Sequence, residues 1–199
     1  GVALQVDANA GFENTEGSID VFRRLDALDL LMIEQPFHQD DLVAHAALQA
    51  RLDTPLCLDE SITSLEAART ALVLEACRVV NIKVSRLGGL GNARDVHDFC
   101  RESNVPVWCG GMHEFGVGRA ANLALASLPG FQFPSDLSGS KKYFAHDLVA
   151  PEIVALEGRV VVPRLKPGIG VDVLMERVDE HVVKKSQHYA KSSRRGEAQ

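Results

Sequence analysis

Asp7, Glu34, Asp59 and Lys83 each close a short apolar run: Leu4-Gln5-Val6-Asp7, Leu31-Met32-Ile33-Glu34, Cys57-Leu58-Asp59 and Asn81-Ile82-Lys83. Successive members are 27, 25 and 24 residues apart, about one strand–helix unit each. Three carboxylates drawn together repel one another unless a cation lies among them. An all-oxygen set of two aspartates and a glutamate suits a hard octahedral ion, so Mg²⁺ is expected, with Mn²⁺ as the alternative. Three protein ligands leave about three positions for water or a substrate oxygen. A lysine at the next strand end is placed to act as general base or acid. Together these groups point to removal of a proton beside the carboxylate of a small-molecule substrate, with the cation offsetting the charge that develops.

Side chains alternate along a strand, which sorts the neighbours of these four. Asn9 shares a face with Asp7. Asn81 shares one with Lys83 and is expected to orient it. Glu60, next to Asp59, is expected to point elsewhere and to support the site from behind. Glu114, in the run Met112-His113-Glu114-Phe115, is expected either to line the pocket or to serve the fold. Other motifs fall away. His113-Glu114 lacks the second histidine of a zinc protease, because position 117 is Val117. Gly88-Gly89-Leu90-Gly91 lacks the Lys-Ser/Thr of a phosphate loop and reads as a turn. Ser138 has no G-x-S-x-G around it. The remaining six histidines, His45 and His97 among them, have no metal-ligand spacing and are expected on the surface or in packing.

The elements that must position these groups alternate regularly. Strand-like runs at Ala3–Val6, Leu30–Ile33, Pro55–Leu58, Val79–Val84, Val105–Trp108 and Phe131–Phe133 are separated by helix-like stretches at Ile19–Leu28, Asp41–Leu52, Leu65–Ala76, Asn92–Glu102 and Val117–Leu128. Thr63 and Glu66 are placed as a capping box for the third helix. Continuous apolar strands alternating with helices imply an α/β fold with a parallel sheet buried on both faces. A flat sheet would spread the four charged ends along an edge. A barrel would aim them into one mouth, so the series favours a (β/α) barrel. After Pro151 the rhythm breaks, and Ile153–Leu156 with Arg159–Val162 reads as a hairpin around Glu157-Gly158. Residues 1–150 are expected to form the barrel portion, 151–183 a separate C-terminal segment, and 184–199 a disordered basic tail.

Composition limits the alternatives. With 46% hydrophobic and 24% charged residues, the chain is ordinary globular material. Its net charge of −6 divides into +4 on the last sixteen residues and −10 on residues 1–183. An acidic body argues against nucleic acid as a partner. No apolar run reaches the length of a membrane span, and no basic segment followed by an apolar one predicts a signal peptide. Cys57, Cys77, Cys100 and Cys109 match no zinc or C-x-x-C pattern, so buried reduced thiols of a cytoplasmic protein are expected. The chain starts directly in a strand-like run, and an upstream piece is expected.

Asp7-Ala8-Asn9, Ile33-Glu34-Gln35-Pro36, Leu58-Asp59-Glu60-Ser61 and Asn81-Ile82-Lys83 resemble the muconate-lactonizing subgroup of the enolase superfamily. The stretch Trp108–Asn122, with Phe133-Pro134-Ser135-Asp136 and Pro167-Gly168-Ile169-Gly170, is similar to its o-succinylbenzoate synthase and N-acylamino acid racemase group. The resemblance covers roughly residues 1–175. It implies a partial TIM-type barrel, about strands three to eight of a (β/α)7β barrel, without the N-terminal capping domain to which the C-terminal segment would return. Asp7, Glu34 and Asp59 would hold Mg²⁺, and Lys83 would be catalytic. The implied reaction is syn-dehydration through an enediolate in menaquinone biosynthesis. Racemisation of N-acylamino acids, or a related epimerisation, is the alternative, and the full-length protein would be a homo-oligomer. Such enzymes carry a second lysine on barrel strand two, opposite Lys83. That strand is absent here, so the chain alone is expected to be an inactive fragment that keeps the metal ligands. His113 and Phe115 stand where the group often has Leu and Ser.

Overall fold

A computed structural model describes residues 2–164 and 166–187. Its core is a parallel sheet in which each strand lies beside the next in sequence: β1 (Gln5–Asp7), β2 (Met32–Glu34), β3 (Leu56–Leu58), β4 (Val79–Asn81) and β5 (Val107–Trp108). The crossovers carry α1 (Glu16–Asp26), α2 (Leu42–Gln49), α3 (Leu65–Val73) and α4 (Leu90–Glu102), and α5 (Gly116–Ala126) follows β5. All five expected helices are present, and strand alternation sorts the core into two sides. Ile33, Leu56, Leu58, Val80, Ile82 and Val107 pack among the helices, whereas Met32, Cys57, Val79 and Trp108 form a buried cluster of their own. Within that cluster Trp108 Nε1 reaches Cys57 Sγ at 3.2 Å, spanning from β5 to β3. Contact across two strands is what the concave side of a curling sheet permits. The fold is a partial (β/α) barrel.

Helix starts follow capping chemistry. The Thr15 hydroxyl accepts from Ser18 N, the Asp41 carboxylate from Ala44 N and the Ser64 hydroxyl from Ala67 N. The last replaces the expected capping box: Ser64, not Thr63, is the extended residue at the start of α3. The sixth run is reduced to one parallel bridge between Val107 and Phe131. Pro134 lacks the N–H needed to continue that ladder.

Beyond a single 3₁₀ turn at Ser140–Lys142, β6 (Val149–Ala150) pairs antiparallel with β9 (Asp172–Val173). Between them β7 (Ala155–Leu156) and β8 (Arg159–Val160) form the expected hairpin, shorter than its apolar runs. Its turn holds Glu157 at φ 49° and Gly158 at φ 72°, the twofold positive φ of a tight two-residue hairpin. Ile153 is buried in the main core with Leu137. A short helix, α6 (Met175–Glu180), was not expected; it has no side-chain cap and buries no residue. No helix among the described residues is long and apolar enough to cross a membrane. Most of the expected tail, residues 188–199, lies outside the described residues.

Candidate active site

The parallel register sets Asp7 beside Glu34, and Glu34 beside Cys57, so Asp59 extends past that row at the end of β3. Glu34 and Asp59 are each 2% exposed, whereas Asp7 stands at the open edge of the sheet. Asn81 Nδ2 donates to Glu34 Oε1 at 2.8 Å, while Gly110 N donates to Asn81 Oδ1 at 2.7 Å. Lys83 Nζ lies 2.8 Å from Asp59 Oδ2, and Arg86 pairs with Asp59 Oδ1. One concave end of the sheet thus gathers Glu34, Asp59, Asn81 and Lys83. Gly110 closes against them, and a Cβ there would lie 2.5 Å from both the Asn81 amide and Lys83 Cε.

Electrostatics follow from this crowding. Burial raises the Glu34 carboxyl to about 7; the Asn81 amide opposes the rise, and the charges of Asp7 and Asp59 add to it. Burial likewise raises Glu60, with Asp59 contributing, and Glu60 Oε2 is a buried atom without a hydrogen-bond partner. Among the described residues, no group of three or more His, Cys, Asp or Glu side chains is gathered closely enough to hold a metal by itself. The carboxylate of Asp59 is instead turned to two cationic side chains, and Glu34 to an amide. The donor set nevertheless fits a hard divalent ion: it is all oxygen, largely buried, and negative enough that its members disturb one another. Binding would require Asp59 to exchange its ion pairs for the cation.

Several expected neighbours sit differently. Asn81 holds Glu34 rather than Lys83. Asn9 is not a continuation of β1, because the strand stops at Asp7 and Asn9 turns with φ 47°. Its backbone N–H caps Asp7 Oδ1 at 2.8 Å. Glu114 accepts from Asn122 Nδ2 at 2.7 Å, and its carbonyl accepts from the buried Arg119, so its partners lie on α5. His113 packs on Tyr143 and Phe115 stacks on Phe144, with ring centroids 4.5 and 3.9 Å apart. His45 and His97 are both fully buried and hydrogen-bonded within the fold. All four cysteines are free and buried, with burial pushing Cys77, Cys100 and Cys109 up to about 12.

Two residues at the site were not singled out as contributors by sequence. Arg86 lies three positions beyond Lys83, in a turn with no periodicity to mark it. Gln35 follows Glu34 and uses both ends of its amide on the backbone and side chain of the loop after β3. Its place directly after a candidate ligand was the one available signal.

A parallel sheet with helices on its convex side, and with acids and a lysine at its C-terminal strand ends, is a partial (β/α) barrel whose charged groups lie on the rim where barrel active sites sit. The chain belongs to the enolase C-terminal domain-like family, which matches residues 1–178. It is 48% identical over 180 residues to an o-succinylbenzoate synthase of Geobacillus stearothermophilus, covering 90% of this chain and 47% of that protein. It is 49% identical over 179 residues to an N-succinylamino acid racemase of Amycolatopsis, covering 90% and 48%. A solved enolase-superfamily member from Listeria innocua superposes with a TM-score of 0.83 at 41% identity, over 89% of this chain and 47% of that one. The chain spans about half the length of the curated relatives it matches.

Proposed function

We propose that this chain carries the metal-binding face of an o-succinylbenzoate synthase, which dehydrates a cyclohexadiene hydroxy acid in menaquinone biosynthesis. The observation that carries this reading is the meeting of Glu34, Asp59, Asn81 and Lys83 at one concave strand end, in a chain 48% identical to such a synthase. Asp7, Glu34 and Asp59 would hold Mg²⁺, which when bound offsets the charge that develops on the substrate carboxylate as the neighbouring proton leaves. Lys83 Nζ, paired with Asp59 in the metal-free chain, would turn to that carboxylate once Asp59 takes the cation. Asn81 and Gly110 fix the Glu34 carboxylate against rotation. The N-succinylamino acid racemase relative supports a second reading, in which Lys83 exchanges the α-proton on one face of the substrate and the opposing lysine of the complete enzyme serves the other.

The substrate is a small carboxylate of the cytoplasm, and the complete protein is a homo-oligomer. The 199 residues alone bind the cation without turnover, since among the described residues β1 is paired on one side only. Calorimetric titration with Mg²⁺ tests the site: Asp59→Asn is expected to weaken binding at least tenfold, and an unchanged affinity would remove Asp59 as a ligand. Assaying both reactions, after joining the chain to the amino-terminal half of a relative, decides between the readings. Racemisation without dehydration would reverse their order.

A further inference from the structure

Glu34 and Asp59 sit on different strands, and nothing in a parallel ladder fixes how their loops approach one another beyond the last strand residue. One side chain spans that gap. Gln35 is wholly buried and immediately follows Glu34. Its Oε1 accepts from Asp59 N at 2.9 Å and from Ser61 N at 3.3 Å. Its Nε2 donates to Ser61 Oγ at 2.8 Å and to the Phe37 carbonyl at 3.2 Å. The amide can sit only one way round, because a flipped Nε2 would face two backbone N–H donors. Ser61 Oγ passes its own proton to the Gln39 carbonyl at 2.8 Å, which continues the tie back to the loop after β2.

The surroundings hold Gln35 in turn. His45 Nδ1 donates to the Asp41 carbonyl at 2.8 Å, leaving Nε2 as an acceptor for Phe37 N at 3.2 Å, with Gln35 Nε2 3.4 Å away. Burial lowers the His45 pKa, in keeping with that neutral tautomer. On the other side, the Gln35 carbonyl accepts from Ala10 N at 2.8 Å, in the loop just beyond Asp7. The backbone at Gln35 has φ 36°, a conformation that a residue with a side chain keeps only when its surroundings enforce it. All three loops that follow the candidate ligands therefore meet at this residue.

We infer that Gln35 is the positioning residue of the cation site, fixing Asp59 relative to Glu34 through the backbone of the β3 loop. The inference rests on the proposed metal site and concerns how its geometry is held. Mg²⁺ demands near-ideal octahedral geometry, whereas Ca²⁺ accepts longer and more variable contacts. A site whose spacing is enforced should therefore lose Mg²⁺ before Ca²⁺ when the enforcement is removed. Lost ligand support of this kind lowers metal affinity by about 10–100-fold. Gln35→Met keeps the length of the side chain and removes every hydrogen bond it makes.

The experiment is titration of the 199-residue chain with Mg²⁺, Mn²⁺ and Ca²⁺ separately, with thermal melting of each variant in parallel. Gln35→Met is expected to weaken Mg²⁺ and Mn²⁺ by about 10–100-fold and Ca²⁺ distinctly less. Equal losses for all three ions would mean general loosening of the fold, and no loss would mean no positioning; either overturns the inference. Should Gln35→Met fail to fold, Ser61→Ala decides, since it removes one partner of the amide and leaves the bond to Asp59 N. It is expected to lower Mg²⁺ affinity selectively by a few fold, and an unselective change or none overturns the inference. If Asp59→Asn abolishes binding while Gln35→Met and Ser61→Ala leave it intact, the metal site stands and Gln35 loses its role. If the unaltered chain binds none of the ions, the metal site fails and the positioning role fails with it.

Discussion

Asn81 is 1% exposed, and both ends of its amide face groups that water does not reach. Asn81→Leu would leave the Glu34 carboxylate and the Gly110 N–H without partners. Each of these two orphaned buried groups costs about 1–3 kcal/mol, so a loss of roughly 2–6 kcal/mol is expected in urea denaturation. A loss below about 1 kcal/mol would show that the clamp contributes little to the fold. Glu34 also makes stability depend on pH. Its folded value of about 7 lies above the ordinary 4.5. Between the two, the folded chain holds a proton that the unfolded chain has released, so stability falls as pH rises through this window. The metal-free chain is expected to melt higher near pH 5.5 than near pH 8, by a difference that shrinks in Glu34→Gln. Mg²⁺ added near pH 8 should recover part of the loss. A pH slope that survives Glu34→Gln unchanged would place its origin elsewhere.

At the scale of elements, the cap of α3 separates two adjacent residues that look alike in sequence. Ser64→Ala removes the hydroxyl that accepts from Ala67 N at 3.0 Å and is expected to cost about 1 kcal/mol. Thr63→Ala should stay within about 0.5 kcal/mol. Chemical denaturation of the two variants tells them apart, and equal losses would return the cap to Thr63. Thr63 and Ser64 carry the same capping chemistry, so only the extended backbone at Ser64 decides, and no pattern in the sequence reports a dihedral angle. The strand ends, by contrast, were legible because one strand–helix unit repeats at a nearly constant length, which sets Asp7, Glu34, Asp59 and Lys83 in phase. Alternation gave the correct face for Asn81 but not its partner, since Glu34 lies 47 residues away on a strand two places over. Gln35 and Arg86 act from loops, where no period exists. The strands themselves proved shorter than the apolar runs that announced them, because burial continues past the last ladder bond.

At the scale of the 199-residue chain, β1 is paired on one side only among the described residues. Val2 and Leu4, just ahead of this edge strand, are 88% and 64% exposed. Such an edge invites pairing with another chain, so concentration-dependent self-association is expected by size-exclusion chromatography. Leu4→Lys should reduce it; a monomer at every concentration would show that the edge is already protected. The strict neighbour-to-neighbour order of the strands has a kinetic side as well. Every rung of the ladder joins segments about 25 residues apart, and no rung joins distant parts of the chain, so the sheet can open one strand at a time from its end, as stacked repeats do. Amide hydrogen exchange should then be graded rather than uniform. The N–H groups of Ala8 and Leu31, which bridge β1 and β2, should exchange first. Those of Ile33 and Gln35, bonded to the β3 side, should follow, with Arg78 and Ile82 slower still. If the chain opens in that order, Asp7 leaves the site in fluctuations that keep Glu34, Asp59 and Lys83 together, so a cation that needs Asp7 would slow exchange at Ala8 far more than at Ile82.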